Sequence, residues 1–121
     1  MSASKWRSLR SSDGFRQFVL DQLECVNVHD RAMFGGRGLY SGEHFFGIIA
    51  RDRLFLKVDA ASRRRYEQAK MEAFRPYPDR PGSMQYYEVP VSVLESPPEL
   101  ERWAREAIAV AGRGRARRSA K

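Results

Sequence analysis

The sequence predicts a single α+β domain, because helical and strand patterns occupy separate stretches of the chain. Apolar residues recur at helical spacing within residues 12–23 and again within 96–111. From Val28 to Val58 the pattern changes to short apolar runs separated by turn residues, which is typical of β-strands. A chain of 121 residues is long enough for one hydrophobic core and too short for two ordinary domains.

The first helix is predicted to begin near Ser12. Either Ser12 or Asp13 has a side-chain oxygen suited to accept the free amide hydrogens of the first helical turn. The side chains that follow at helical spacing are mostly apolar and are expected to face the core. They are Phe15, Phe18, Val19, Gln22 and Leu23.

Four strands are predicted next, and the last two form a hairpin. Their ranges are Val28–Phe34, Gly38–Tyr40, His44–Ala50 and Arg53–Val58. If Arg51 and Asp52 form a two-residue loop, Ala50 pairs with Arg53. Because side chains alternate along a strand, this register assigns each of them to one face of the sheet.

The hairpin register predicts one wholly apolar face and one mixed face. The apolar face, expected in the core, holds Phe45, Gly47, Ile49, Leu54, Leu56 and Val58. The mixed face carries Phe46, Ile48 and Phe55 beside Arg53 and Lys57. Since a contiguous apolar patch tends to mark a contact, the three apolar residues are predicted to form a protein interface. A second copy of the chain, in a homodimer, is its simplest cover.

The second half of the chain is predicted to hold a helix, a proline-rich loop, a strand and a final helix. A helix from Ala60 to Lys70, capped by Asp59, precedes a loop over 76–82. Met84–Val89 is predicted to be the last strand. The sequence Ser96-Pro97-Pro98-Glu99 combines a capping box with proline in the first turn, and the helix that it begins is predicted to end at Gly112.

The positive charge is concentrated at the two ends of the chain. The net charge is +7, from 22 basic and 15 acidic residues. Residues 1–10 hold three of the basic residues and 112–121 hold five, with no acid in either segment, so the part between is nearly neutral. We therefore predict a basic arm over 1–11, a domain over 12–111 and a disordered Arg-rich tail over 112–121.

The tail is the candidate site for nucleic acid. The tail has too few apolar residues to form a core, and its positive charges are suited to weak, salt-dependent contacts with phosphates. They are Arg113, Arg115, Arg117, Arg118 and Lys121. The alternative, that the tail only keeps the protein in solution, stays open.

Two other candidates for nucleic-acid contact are better explained by structure. The run Arg63–Arg65 lies in a predicted helix, where its side chains spread over a face that is ordinarily solvated. Tyr40, Tyr86, Tyr87 and Trp103 have rings that are able to stack on bases. They occur in apolar segments, which favours positions in the core.

The sequence contains no recognisable catalytic, metal or cofactor site. Gly35, Gly36 and Gly38 have strand patterns on both sides, which favours a tight turn over a phosphate cradle. Cys25 and His29 lack a third orienting residue at a recognisable spacing. One cysteine and two histidines are too few for a zinc site. The prediction is a non-enzymatic protein without a cofactor, with a small enzyme or enzyme subunit as an alternative.

The composition indicates a soluble protein of a reducing compartment, predicted to be the cytoplasm. Cys25 is the only cysteine, so no internal disulfide can form. The first residues lack the apolar segment of a secretory signal. The longest apolar run, over residues 45–50, is far shorter than the roughly 20 residues that span a bilayer, so no membrane association is predicted.

The segment AMFGGRGLY, over residues 32–40, resembles the MFGGxGLY signature of the N-terminal domain of the TfoX/Sxy family. Further similar segments follow in the family's order and spacing, at 46–49, 54–59, 74–77, 86–90 and 100–104. One departure is Lys70, where family members often have glycine. The motif residues to which the resemblance assigns a structural role are Met33, Phe34, Gly35, Gly36, Gly38, Tyr40, Lys57, Asp59, Tyr87, Pro90 and Trp103.

The resemblance implies a two-layer sandwich of one antiparallel sheet with helices packed on it, similar to the fold of type III secretion chaperones. It also implies a competence-related role in transcription regulation, since the family's named members act with a cyclic-AMP receptor protein at particular promoters. Those regulators have a second, C-terminal domain that this sequence does not include. The leading hypothesis is a regulatory domain or adaptor that binds a protein partner through its sheet. The alternative is a protein that binds nucleic acid directly through its basic ends.

Overall fold

The computed structural model describes residues 10–33, 35–75 and 83–119, and within them one six-stranded antiparallel sheet. The strands are β1 (Val28–Met33), β2 (Gly36–Ser41), β3 (His44–Ala50), β4 (Arg53–Lys57), β5 (Ala73–Phe74) and β6 (Ser83–Glu88). Their order in the sheet is β1-β2-β3-β4-β6-β5. In the described chain, β1 and the two-residue β5 are therefore the edge strands.

Four α-helices accompany the sheet in the described residues. They are α1 (Asp13–Gln22), α2 (Ala60–Gln68), α3 (Val91–Leu94) and α4 (Pro97–Ser119), with a 3₁₀ turn at Glu24–Val26. Helix α4 packs across β3 and β4, and it also contacts α1 and α3. This architecture confirms the predicted α+β fold, with one antiparallel sheet and helices packed on it.

The main core lies between the sheet and the helices. Its innermost side chains come from β2, β3, β4, α2, α4, α1 and the residue that follows α1, and they are at most 1 % exposed: Val19, Leu23, Leu39, Phe46, Ile49, Leu54, Leu56, Tyr66, Leu100, Ala104 and Ala107. A second apolar cluster lies on the other face of the sheet and comprises Ile48, Ala50, Phe55, Phe74 and Tyr86. The sheet is thus apolar on both faces.

Two of the predicted helix caps are formed, at Asp59 and at Ser12, which is the one used of the two candidates Ser12 and Asp13. The Ser12 hydroxyl accepts a hydrogen bond from the amide of Phe15 at 3.1 Å. Asp59 and Ser62 form a reciprocal capping box at the start of α2, with each side chain accepting from the other residue's amide. These short polar side chains replace the hydrogen bonds that the first turn of a helix lacks.

The two-residue hairpin loop at Arg51 and Asp52 is also as predicted. Ala50 pairs with Arg53, and both loop residues have positive φ, at 55° and 56°. Positive φ at both positions is typical of the tight turn whose twist matches that of the flanking strands.

A bulge in β3 changes the faces that the hairpin register predicts. Leu39 of β2 pairs with Gly47, but the next residue, Tyr40, pairs with Phe45. Phe46 is therefore the extra residue, and strict alternation of side chains is interrupted there. As a result Phe46 enters the main core and Phe45 packs on the opposite cluster, the reverse of the predicted assignment.

The prediction of an exposed interface at Phe46, Ile48 and Phe55 was wrong. Phe46 is 0 % exposed in the main core. Ile48 and Phe55 do lie on the other face, but they are only 4 % and 6 % exposed and pack with Phe74 and Tyr86. Because these side chains are buried within one chain, they give no reason for self-association. The homodimer stays a prediction without this basis.

Helix α4 passes through Gly112 and continues to Ser119, so the predicted helix end and the disordered tail were wrong for the backbone up to that residue. A glycine inside a helix costs only about 1 kcal/mol relative to alanine, and the arginines and alanine that follow are good helix formers. The side chains beyond Arg113 and the whole of residues 120 and 121 lie outside the description.

Two short elements, β5 and α3, were not predicted. Elements of two and four residues are too short to show a periodic pattern. The predicted loop with Pro76, Pro78, Pro81 and Gly82 lies outside the described residues, as does Phe34.

Helix α2 ends in a Schellman motif whose left-handed residue is Lys70. The amide of Met71 donates to the carbonyl of Tyr66 at 3.0 Å, and the amide of Lys70 donates to the carbonyl of Glu67 at 2.9 Å. Lys70 has φ of 62°, a conformation that favours glycine. This chain therefore keeps the helix end that glycine would give, in a strained lysine.

We expect Lys70→Gly to raise the free energy of unfolding by about 0.5–1 kcal/mol, because glycine adopts positive φ without steric cost. Lys70→Ala is the matched control, since it removes the same long side chain and retains the strained Cβ atom. Urea denaturation of both variants gives the comparison. A glycine variant no more stable than the alanine variant would show that the strain at this position is negligible.

Candidate functional site

The Cys25 thiol and the His29 imidazole, considered as a nucleophile and its base, have separate partners. Partial desolvation and the neighbouring Glu101 carboxylate raise the pKa of the Cys25 thiol. A nucleophilic cysteine needs the opposite shift. His29 instead stacks on Tyr40, with ring centroids 5.7 Å apart. Within residues 10–33, 35–75 and 83–119, no group of three or more His, Cys, Asp or Glu residues is arranged to hold a metal ion.

The glycine motif forms the turn between β1 and β2. Gly35 has φ of 87°, and Gly36 pairs with Met33 across the turn. Gly38 lies inside β2, where a Cβ atom would lie only 3.1 Å from the ring of Phe45. A strand follows these glycines, whereas a phosphate cradle needs the N-terminus of a helix at this point. The geometry therefore favours the structural role that the resemblance assigns to the motif.

The arginine face of α2 is largely used by contacts within the chain. Arg65 pairs with Glu106 and lies over the ring of Trp103, 4.4 Å from its centroid. Arg63 lies 3.7 Å from the carboxylate of Glu67. These contacts support the structural explanation of this face over a phosphate-binding role.

Trp103 and Tyr87 both pack against the buried ring of Tyr66. The Trp103 ring is half-buried and meets Tyr66 edge to face at 4.8 Å, and the Tyr87 ring lies 6.1 Å from Tyr66. The Tyr87 hydroxyl donates to the carboxylate of Glu67 at 3.2 Å. Of the four aromatic residues considered for base stacking, these two therefore serve the core.

Another motif residue, Pro90, connects β6 to α3. It is the N-cap residue of α3, and its carbonyl accepts hydrogen bonds from the amides of Val93 and Leu94 at 3.0 and 2.9 Å. Proline is well suited to this position because it has no amide hydrogen that needs a partner.

Arg113, the first basic residue of the predicted tail, is attached to the domain. Its guanidinium donates to the carboxylate of Asp59 at 2.8 Å. The backbone amide of Ser62, together with Arg113, lowers the pKa of Asp59 from 3.8 to about 2. Arg113 thus links the end of α4 to the start of α2. The side chains of Arg115, Arg117 and Arg118 are not described, and Lys121 lies outside the described residues.

We expect Asp59→Ala to lower the free energy of unfolding by about 1 kcal/mol, since it removes the cap of α2. The folded state keeps this carboxylate ionised down to about pH 2. The stability that it contributes is therefore present above the ordinary pKa and is lost as the pH falls through that of the folded state.

Urea denaturation from neutral to acid pH measures both effects. Arg113→Ala is the control because it retains the cap and removes a surface ion pair worth at most about 1 kcal/mol. An acid dependence of stability that is the same in Asp59→Ala and the wild type would contradict the account of this carboxylate.

A row of stacked rings crosses the sheet face opposite the main core. His29, Tyr40, Phe45 and Tyr86 follow one another, with ring centroids 5.7, 5.1 and 5.5 Å apart. The Tyr40 ring has a neighbour on each side, on β1 and on β3, and both are nearly parallel to it. Tyr40 thus already stacks on two rings, which favours a structural role over base stacking, and Tyr86 is only 8 % exposed.

Two cations lie over this row. The Arg31 guanidinium is 5.2 Å from the centroid of Tyr40, and the Lys57 ammonium is 4.9 Å from that of Tyr86. Lys57 also donates to the side chain of Gln85 at 3.2 Å. The rings of the row and its cations contact one another, which favours structural roles for the motif residues Tyr40 and Lys57.

A buried carboxylate fixes the first helix beside the edge strand. Asp30 of β1 accepts hydrogen bonds from Arg16 of α1 at 2.6 Å and from Arg37 of β2 at 2.7 Å. Its side chain is only 9 % exposed, and the hydrogen bond from Arg16 is the main cause that lowers its pKa. Such charge-assisted bonds are the stronger ones in proteins, so α1 has a defined position relative to β1.

A groove lies between α1 and the start of β1. Its volume is about 470 Å³, and it is lined by Gln17, Leu20, Asp21, Glu24, Asn27 and residues 28–30. Leu20 and Val28 are the half-buried apolar part of this lining, and Asp21 and Glu24 are exposed. Since β1 has no neighbouring strand on its outer side in the described chain, the groove follows a strand edge with unpaired main-chain groups.

A smaller hollow of about 290 Å³ lies near Cys25. Its polar groups bond to one another: Ser41 donates to the carbonyl of Val26, and Arg105 donates to the carbonyl of Cys25 and to Glu101. The groove beside β1 is therefore the better candidate for a binding site. Sequence reasoning missed it, because a sequence does not state which strand lies at the edge of a sheet.

The fold and this groove define a small α+β domain that has one antiparallel sheet and an open edge strand beside a helix. In the part of the chain that the structure describes, no helix has both the length and the apolar character needed to cross a bilayer. The model of the TfoX N-terminal domain matches residues 20–111, and the protein therefore belongs to this family. The family predicted from the sequence is confirmed. No curated protein matches the chain.

Proposed function

We propose that this protein is a non-enzymatic regulatory domain that binds a protein partner by main-chain pairing at β1. The observation that carries the proposal is the length of this edge strand. The six residues of β1 have no pairing strand on their outer side in the described chain, whereas the other edge, β5, has only two residues. Proteins ordinarily shorten or cover their edge strands because such edges pair with other chains. A long open edge is suited to recognition by strand addition.

Family membership supports a regulatory role over a catalytic one. We extend the proposal to a competence-related adaptor in transcription regulation, which acts in the cytoplasm. Such an adaptor changes the position or availability of its partner and needs no reacting group. This agrees with the structural roles of the glycine motif and with the separate environments of Cys25 and His29.

A second candidate function is weak nucleic-acid binding through the C-terminal charges. The observation that favours it is the five basic residues, without an acid, in residues 112–121. Arg113 is engaged by Asp59, so the contribution rests on Arg115, Arg117, Arg118 and Lys121. Contacts of this kind weaken steeply as the salt concentration rises.

Affinity capture from an extract of the cells that produce the protein separates these functions. We expect the full chain to retain a protein partner after nuclease treatment. A variant with Gln at Arg115, Arg117, Arg118 and Lys121 should retain the same partner. Loss of the partner both after nuclease treatment of the full chain and in the Gln variant would contradict the protein-binding proposal and favour the nucleic-acid function.

A further inference from the structure

The groove beside β1 has a negative end that the rest of the described chain does not neutralise. Asp21 and Glu24 are exposed, and the only described side-chain bond at either is the one that Asp21 accepts from Gln17 at 2.8 Å. Neither carboxylate has an ion-pair partner in the described residues. The third acid of the groove, Asp30, is already bound by two arginines. Among the residues that line the groove, the carboxylates without an ion-pair partner are therefore Asp21 and Glu24.

The apolar part of the groove suits the aliphatic portion of a long basic side chain, whose charged end would lie near the exposed carboxylates. Leu20 and Val28 are half-buried and pack against the edge of the main core. Along an extended segment, successive side chains point to opposite sides. In a segment paired with β1, every second side chain would thus lie on the α1 side of the sheet, beside Leu20 and Val28 and within reach of Asp21 and Glu24. The other side chains would lie on the opposite face, beside His29 and Arg31.

A second copy of β1 fits this edge poorly. Two antiparallel copies of β1 in one continuous sheet are related by a two-fold axis perpendicular to the sheet. Each residue can therefore pair only with a residue of the other copy whose side chain lies on the same face of the sheet. The registers that pair most of β1 centre on Asp30 or on Arg31 and place like charges opposite each other. Like charges in directly opposite positions are destabilising.

We propose that the groove binds an extended basic segment of a partner protein, which adds to β1 as a further strand of the sheet. The inference rests on the proposed function and names the chemistry of the partner. Main-chain hydrogen bonds to β1 supply affinity, and the carboxylates of Asp21 and Glu24 select basic over acidic segments. No group of this site performs a reaction.

The probe is a fluorescent peptide in which Lys and Val alternate, titrated against the full chain by anisotropy. We expect a Kd below about 1 mM and at least about tenfold weaker binding of the matched peptide in which Glu and Val alternate. Asp21→Lys/Glu24→Lys should weaken the Lys-Val peptide at least about tenfold. The control, Glu72→Lys/Glu95→Lys, makes the same change in net charge at exposed residues outside the groove and should have less than about a twofold effect.

Amide hydrogen exchange in the same complex tests strand addition. We expect the peptide to slow exchange at β1 amides that face outward, and to leave α2 unchanged. Equal losses of affinity in the two double variants, no peptide binding, or β1 exchange unaffected by a bound peptide would each overturn the inference. So would a sedimentation mass of two chains that depends on the same carboxylates. Should Asp21→Lys/Glu24→Lys fail to fold, Glu24→Lys alone carries the test.

Different experimental results would contradict the groove assignment and the proposed function. If the cellular partner is still captured by Asp21→Lys/Glu24→Lys, the groove assignment is wrong and the regulatory interaction domain stands. If no protein is captured by the wild type after nuclease treatment, the proposed function itself is contradicted.

Discussion

Replacing Phe46 by alanine is expected to destabilise the domain by about 3–5 kcal/mol, enough to unfold much of a marginally stable protein. The ring is 0 % exposed and is one of the largest fully buried side chains in the described residues. It occupies the bulge of β3 and packs in the core between the sheet and the helices. Truncation leaves a cavity that the surrounding sheet and helix cannot easily fill.

The neighbouring variant Phe45→Ala is the matched control, because it removes the same ring from the next position. Phe45 is half-buried on the opposite face and stacks between Tyr40 and Tyr86. We expect its loss to cost about 1–2 kcal/mol. Comparing the free energies of unfolding of the two variants, measured by urea denaturation, therefore tests directly whether the bulge is present. A larger cost at Phe45 than at Phe46 would mean that strict alternation holds in β3 and that the bulge is absent.

Tyr66→Ala is expected to cost a similar amount, about 3–5 kcal/mol. This ring is 1 % exposed and holds α2 against α4 and β6, through Trp103 at 4.8 Å and Tyr87 at 6.1 Å. Trp103 itself is half-buried, so its truncation should cost less. Midpoints of chemical denaturation give the order of the two variants.

The variant Tyr66→Phe separates the ring from its hydroxyl. Burial raises the pKa of Tyr66 well above its ordinary value of 10, since the charged form is poorly solvated. The unfolded chain loses this proton near pH 10 and the folded chain does not, so stability falls as the pH rises above the ordinary value. Tyr66→Phe should reduce this alkaline loss while keeping most of the stability at neutral pH. An unchanged alkaline limb would contradict the burial of the hydroxyl.

Local signals in the sequence were sufficient for the hairpin and the caps. The loop at Arg51 and Asp52 and the caps at Ser12 and Asp59 depend on a few adjacent residues, and all three are formed as predicted. The family motif likewise gave the fold. The hairpin and the caps are fixed by interactions between near neighbours in the chain, which a single sequence displays.

Features that depend on distant parts of the chain were beyond the sequence. The bulge at Phe46 arises where β3 pairs with β2, and an extra residue leaves no mark in an apolar run. Helix α4 continues past Gly112, where the breaker signal is overridden by good helix formers and the contact of Arg113 with Asp59. The candidate site was missed for the same reason, since it exists only because α1 lies beside the edge of β1.

The most direct test of the account is amide hydrogen exchange of the full chain in complex with its captured protein partner. We predict slower exchange along β1, from Val28 to Met33, with little change along α2. Asp21→Lys/Glu24→Lys should abolish both the complex and the change at β1. Slower exchange confined to the helical side, with β1 as exposed as in the unbound protein, would contradict recognition by strand addition.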